Sequence, residues 1–379
     1  MQFTVGSAIA RPPPLPNDWR VLERHRDGEL RAGLNLLGLR TLPLVGREDV
    51  RDELWAALRR CRAHGRVEVV ALHGPRGMGK SRLAHWLGQR AHEVGSAILM
   101  RATHGPVTLP GDGLGGMAVR FLRCEDLAAA QLRMRIAALV GDQVEEGEAL
   151  LELLAPGTGD VRFGSVEERH FAVEQLLWRA TTERPVVLRL DDVHYGTDTL
   201  RFVRRLLDRE LARPVVIVLT ATDEALAERV DAAAIWEELL AHRRVRAVRV
   251  GRLDPLHHAE LAERVLGLAP ELARVVDRET RGDPQFTVQL VKDWVEQDLL
   301  VPGPLGFQFR QGASLDVAWD PAALWGRRVE RVLRQLPEEQ GHVLEVAAVL
   351  GRGVDRQIWE AACAELGLAP VQALVDGLL

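Results

Sequence analysis

Residues 67–82 read Val67-Glu68-Val69-Val70-Ala71-Leu72-His73-Gly74-Pro75-Arg76-Gly77-Met78-Gly79-Lys80-Ser81-Arg82. The stretch begins as an apolar run of strand length and then breaks into a turn with three glycines and a proline. From Gly74 to Ser81 it fits Gly-x4-Gly-Lys-Ser/Thr, a pattern that arises by accident in roughly one chain per thousand of this length. An amphipathic helical pattern follows, with Leu83, Trp86, Leu87, Ala91 and Val94 on one face and Gly95 just past its end. Strand, glycine turn and helix in this order predict a phosphate cradle formed by Gly74, Pro75, Arg76, Gly77, Met78 and Gly79, with Lys80, Ser81 and Arg82 opening the helix. Without Cβ atoms, the glycines let successive backbone N–H groups curl around phosphate oxygens. The helix aims the positive end of its dipole at the anion, Lys80 adds a compact charge, and the Ser81 hydroxyl is placed as a Mg²⁺ ligand. Of 49 basic residues only Lys80 and Lys292 are lysine, which marks Lys80 as chosen for its chemistry.

Working outward, further apolar runs at 97–101, 185–191, 214–220 and 244–250 predict four more strands, separated by helical patterns. Strands alternating with helices predict an α/β fold: a P-loop NTPase parallel sheet with helices on both faces. Between them, 105–116 carries five glycines and two prolines and reads as a loop. The 125–154 stretch reads as helical. Ser165 and Glu168 form a capping box that opens a helix running to about Thr182. After Leu253 the strands stop. Helical segments follow at 255–267 and 270–298, the second interrupted by Gly282-Asp283-Pro284. The glycine-broken stretch 301–319 predicts a hairpin, and 321–379 is helical. Residues 1–42 contain the Pro-rich stretch Arg11–Pro16 and read as an arm or linker.

Asp191 and Asp192 end the third predicted strand, where open parallel sheets bind ligands. There Asp191 is a candidate to hold Mg²⁺ through its water shell, and Asp192 to orient or deprotonate an attacking water. A capping acid pair on a loop is the bland alternative. Thr220 and Thr222 close the next strand as candidate phosphate sensors, or as ordinary strand-end threonines. Gly282-Asp283-Pro284 reads, on spacing alone, as a turn with Pro284 in the first position of a helix. His257-His258 has no ligand-spaced partners, the arginines of 243–252 read as a solvated strand face, and Cys61 and the scattered tryptophans read as packing.

Composition bounds the rest. In 379 residues, 49 basic and 54 acidic groups give a net charge of −5, which disfavours nucleic-acid coating. The longest apolar runs fall well short of the ~18 residues of a membrane span. No secretory signal pattern opens the chain, and three scattered cysteines suit a reduced compartment, so the expectation is a cytoplasmic protein.

Taken together, Leu44-Val45-Gly46-Arg47-Glu48, the loop 74–81, the stretch 186–198 (VVLRLDDVHYGTD) and the stretch 281–286 (RGDPQF) resemble the motif series of signal-transduction ATPases with numerous domains. The similarity is to the AAA-like ATPase domain of large bacterial regulators, a group related to origin-recognition and apoptosis-type ATPases. The resemblance implies a nucleotide-binding domain at 43–252, a helical lid at 253–300 and an incomplete winged-helix-like domain at 301–379. It implies that Val45, Gly46 and Arg47 lie against adenine and that Pro284 closes over the base from the lid. ATP or ADP and Mg²⁺ are the implied cofactors. The family has His-Trp where His194-Tyr195 stands, and often an arginine where Thr222 stands. With Thr222 there, the expected activity is a slowly hydrolysing Mg·ATP switch coupled to conformational change or self-association, with an unidentified protein signal or effector. The alternatives are an ATP-bound regulator reading DNA through its winged helix, or a hydrolysis-deficient oligomerisation scaffold. Residues 354–366 carry one arginine against three acids, which favours protein over nucleic acid as the partner. A chain ending inside the winged helix resembles the ATPase core of something larger.

Overall fold

Five short strands pair in parallel: β1 (Glu68–His73), β2 (Ile98–Thr103), β3 (Val186–Asp191), β4 (Val215–Thr220) and β5 (Val245–Arg249). Their order across the sheet is β2-β3-β4-β1-β5. The computed structural model describes residues 15–22, 42–109, 111–125, 127–182, 184–209, 212–311, 321–350, 354 and 356–378. Every position of β3 and β4 is buried, as is all of β1 except His73, so both faces of the central strands are covered. This is why the central strands are continuous apolar runs. The edge strands β2 and β5 are partly exposed and carry charge, with Arg246 and Arg249 facing solvent.

The crossovers carry helices α1 (Glu48–His64), α2 (Lys80–Glu93), α3 (Gly113–Leu122), α4 (Ala129–Val140), α5 (Val144–Leu154), α6 (Val166–Ala180), α7 (Thr197–Asp208), α8 (Asp223–Ala227) and α9 (Val230–Leu240). α1 lies on β1, α2 on β3 and β4, α3 on β2, and α9 against β5. Helix α6 starts as its capping box requires, with the Ser165 hydroxyl accepting from the Glu168 N–H at 3.2 Å.

Three expectations change. Residues 113–116, read as loop, are the first turn of α3. A Cβ on Gly116 would fall 1.9 Å from the Gly111 carbonyl oxygen, so this glycine serves a close backbone approach. The stretch 125–154 is two helices, parted at Gly141 with φ +64°. Arg244 is buried, unlike Arg246 and Arg249, and donates to the Leu207 carbonyl.

Of the predicted arm, residues 11–14 lie outside the described residues, but 15–22 dock on α1 and α2. Trp19, 1% exposed, meets Trp86 edge-on at 5.1 Å and donates from Nε1 to Asp52 at 2.7 Å. The Arg51 guanidinium lies 4.0 Å from the Trp19 ring centroid, and Trp55 Nε1 donates to the Pro16 carbonyl at 3.0 Å.

The chain divides into two compact units. Among the described residues, the sheet unit holds 15–22, 48–74 and 80–249, and the second unit holds 42–47, 75–79 and 250 onward. The second unit contains α10 (Pro255–Ala259) running into a π-type turn (Glu260–Val265), α11 (Pro270–Thr280) and α12 (Pro284–Glu296). A hairpin follows, β6 (Leu300–Gly303) and β7 (Gly306–Phe309), then α13 (Pro321–Leu333), α14 (Glu339–Leu350), α15 (Arg356–Glu365) and α16 (Gln372–Leu378). One apolar cluster joins Val45, Leu253, Leu272, Phe286, Leu290 and Trp294; another joins Val343, Trp359, Cys363 and Leu374. Residues 312–319, the rest of the predicted hairpin stretch, lie with residue 320 outside the described residues. No helix among the described residues is long and apolar enough to cross a membrane.

The docking of residues 15–22 is directly testable. Trp19→Ala is expected to lower unfolding stability by about 3 kcal/mol, with Trp19→Phe losing less. Urea denaturation of both variants checks this; an unchanged midpoint for Trp19→Ala would show that the segment contributes nothing.

Candidate nucleotide site

The ends of β1, β3 and β4 deliver Gly74, Asp191 and Thr220 to one edge of the sheet, with Leu72 paired to Thr220 and Thr103 to Asp191. Thr220 is the joint between the two acids. Its hydroxyl donates to Asp191 Oδ1 at 3.1 Å and accepts from the Asp192 N–H at 3.0 Å. The Ser81 hydroxyl, in the first turn of α2, also acts on the Asp191 carboxylate and favours its charged form. Arg189 Nε lies 2.8 Å from Asp191 Oδ2. Burial raises the proton affinity of Asp191, and the Arg189 charge with the Thr220 and Ser81 donors offsets part of that rise.

The backbone around the acids is held equally firmly. Asp192 has φ +54°, a left-handed conformation that a non-glycine residue adopts at a cost, and it turns the chain sharply after β3. His104 reads the same turn. Its Nδ1 donates to the Asp191 carbonyl at 2.7 Å, which leaves Nε2 to accept from the Thr199 hydroxyl at 2.8 Å. Burial holds the His104 pKa below its ordinary value, in keeping with this neutral tautomer. His194 Nδ1 accepts from the Thr222 N–H at 3.4 Å, which places Thr222 beside the residue that follows the acid pair by two.

In the glycine loop, φ is +137° at Gly74, +85° at Gly77 and +91° at Gly79, all outside the range of ordinary side chains. A Cβ on Gly79 would meet nothing, so conformation alone demands glycine there. Gly77 is constrained twice, because a Cβ would also fall 2.8 Å from Gln285 Oε1 and 3.4 Å from Asp283 Oδ1. Gly77 and the start of α12 therefore meet within the second unit. Met78 is buried, Pro75 half-buried and Arg76 exposed. Lys80, 6% exposed, donates from Nζ to the Gly74 carbonyl at 2.8 Å. Arg82 is half-buried and without a hydrogen-bond or ion-pair partner among the described residues, and burial lowers its pKa. A cation in the first turn of a helix opposes the helix dipole and favours an incoming anion.

The remaining expected residues lie in the second unit. Val45 is in the apolar cluster. Gly46 and Arg47 both have positive φ, and a Cβ on Gly46 would fall 2.6 Å from His257 Cγ. Arg47 donates to the carbonyls of Gly251 and, at 3.1 Å, Arg252. Pro284 is the first residue of α12, and Asp283 caps that helix by accepting from the Phe286 N–H at 2.9 Å. The turn reading and the approach to Gly77 hold together.

The donor set suits Mg²⁺. That ion takes one or two carboxylates, keeps several waters and shares phosphate oxygens. Ser81 and Asp191 offer one hydroxyl and one carboxylate that act on one another, and no group of three or more His, Cys, Asp or Glu among the described residues offers an all-protein cage.

Sequence reasoning missed His104 and Arg189. Only the charge inside the apolar run 186–190 pointed to Arg189; nothing marked His104, which reaches Asp191 from 87 residues away. Thr220→Val is expected to remove one donor from the Asp191 carboxylate and the hydroxyl acceptor from the Asp192 N–H, at about 1–3 kcal/mol in thermal unfolding, with Thr220→Ser near wild type. Equal melting of the Val and Ser variants would deny the hydroxyl this role.

Residues 43–219 match the family model of the AAA ATPase domain. No curated protein matches the chain. Among solved structures, the Aeropyrum pernix Orc1 protein in complex with DNA is similar at 17% identity and a TM-score of 0.41, covering 90% of this chain and 85% of that one. The ADP form of the Aeropyrum pernix Orc2 protein is similar at 13% identity and a TM-score of 0.42, covering 92% and 89%. The family match spans the glycine loop after β1 and the acid pair ending β3 in the order the motif requires, so residues 43–219 of this chain are similar to an AAA-type P-loop ATPase domain.

Proposed function

We propose that this protein is a Mg·ATP-binding, slowly hydrolysing switch whose nucleotide state sets a conformational change or self-association. The observation that carries the reading is the bonded junction of Asp191, Thr220 and Asp192, with the Ser81 hydroxyl of the helix after the phosphate loop acting on the same carboxylate. In this reading the N–H groups of 74–81 cradle the phosphates and the α2 dipole favours their charge. Lys80 serves the terminal phosphates, Arg82 supplies a second cation, and Ser81 and Asp191 hold Mg²⁺. When bound, that ion neutralises charge on the phosphate oxygens. Asp192 orients the attacking water and accepts its proton. Thr222 faces the terminal phosphate with a neutral hydroxyl in place of a cation, which supports slow turnover. Val45, Gly46, Arg47 and Pro284 serve the base, as the resemblance implies.

Lys80→Ala is expected to weaken ATP binding roughly 10- to 100-fold by calorimetry, the size of a lost charge-assisted contact; equal affinity in the two proteins would end the proposal. Asp192→Asn is expected to keep ATP affinity and to lose turnover by roughly 10²- to 10⁴-fold in phosphate release. Wild-type turnover in that variant would remove Asp192 as the base. Sizing the chain with ADP and with a non-hydrolysable ATP analogue tests the switch, since identical profiles and identical protease patterns would argue against nucleotide-dependent rearrangement.

A further inference from the structure

Side chains along β3 alternate between the two faces of the sheet. Val186, Leu188 and Leu190 join the large apolar cluster, which leaves Val187, Arg189 and Asp191 on the opposite face, towards α2. Arg189 pairs across the sheet with Val218, and Val187 with Val216, so this guanidinium stands on apolar ground with 9% of its surface exposed. A buried cation in such a place is costly unless it is paired. Asp191 is its one carboxylate partner among the described residues, at 2.8 Å from Nε. The Nε–H is not aligned for a hydrogen bond, so the attraction is one of charge. The outer end is anchored separately, by Nη1 donating to His85 Nδ1 at 2.9 Å. His85 sits on α2 four residues after Ser81, and Arg82 and Arg101 are further cations acting on it.

Asp191 is therefore shared. Oδ1 belongs to Thr220, Oδ2 faces Arg189, and the Ser81 hydroxyl acts on the same carboxylate. We infer that Arg189 is a positioning residue that tunes the Mg²⁺ dependence of nucleotide binding, its charge occupying one oxygen of Asp191 and weakening that carboxylate's hold on the cation. The inference rests on the reading of Ser81 and Asp191 as the Mg²⁺ side of the site. A guanidinium and a dication that share one carboxylate repel each other across a few ångströms. Even at the effective dielectric of a partly hydrated site, this is worth roughly tenfold or more in metal affinity. The benefit is a carboxylate that stays charged and oriented while buried, so nucleotide meets a site already arranged.

The test uses the full chain, ADP as the ligand and MgCl₂ as the titrant, with binding read by a fluorescent ADP analogue. Arg189→Met is expected to lower the Mg²⁺ concentration for half-maximal enhancement of ADP binding by about tenfold or more. Arg189→Lys, which keeps the charge, is expected to stay near wild type, a rescue that a purely structural role would not predict for so different a head group. In an Asp191→Asn background the effect of Arg189→Met should vanish. A folded Arg189→Met protein with the wild-type Mg²⁺ midpoint overturns the inference. Should that variant fail to fold, the ¹⁵Nε signal of Arg189 in the wild-type chain, assigned by its loss in Arg189→Lys, decides: it should move with Mg·ADP beyond its position with metal-free ADP, and no difference overturns the inference. If the wild-type chain bound no ADP, the proposed function and this inference would fall together. ADP binding with a Mg²⁺ midpoint indifferent to residue 189 removes this inference alone.

Discussion

A carboxylate buried to 6% exposure at the end of a central strand is the constraint on which the rest depends. Asp191 can stay charged there only if its oxygens are met by donors and cations, because desolvation alone would neutralise it. Each neighbour answers that need. Thr220 comes from β4, Ser81 from α2 and Arg189 from two residues earlier in the same strand. His104 holds the backbone carbonyl from the loop after β2. Parallel pairing makes this possible, since only parallel strands bring the ends of β1, β3 and β4 to the same side of the sheet. The site is a consequence of how the charge is satisfied.

The glycines play two distinct parts that composition alone does not separate. Gly79 is glycine for its backbone angle, whereas Gly77 is glycine for its angle and also because Gln285 and Asp283 stand where a side chain would be. Gly46 is constrained in the same double way by His257. In the second unit, the residues of Gly282-Asp283-Pro284-Gln285 that start α12 are thus engaged with the phosphate loop residue itself. A helix-starting turn and the neighbour of Gly77 are here one object. Capping by Asp283 fixes the direction of the helix, and that direction brings Gln285 to Gly77.

Much was legible in one dimension. The five strands lie within two residues of the apolar runs, and the central three are the clearest, because a strand buried on both faces must be continuously apolar. The Ser165 cap and the Pro284 helix start were readable because capping chemistry is local. Glycine-rich 105–116 misled where it entered α3. There the glycines serve close packing of Gly116 on Gly111, a distance that no local pattern expresses. The docked segment 15–22 was hidden for the same reason, since Trp19 finds Asp52 and Trp86 only when α1 and α2 lie side by side.

By itself the sequence determined the fold class, the order of the strands along the chain, the glycine turn between β1 and α2 and the acid pair that ends β3, because periodicity, glycine content and terminal residues act over a few neighbours. The tertiary structure decided which oxygen of Asp191 each partner takes, that His104 and Arg189 belong to the site, and that Thr220 is the joint of the acid pair. Those relations join residues 87 and 29 positions apart. They follow from which strands lie adjacent and in what register, and burying a charge makes them obligatory once that register is set.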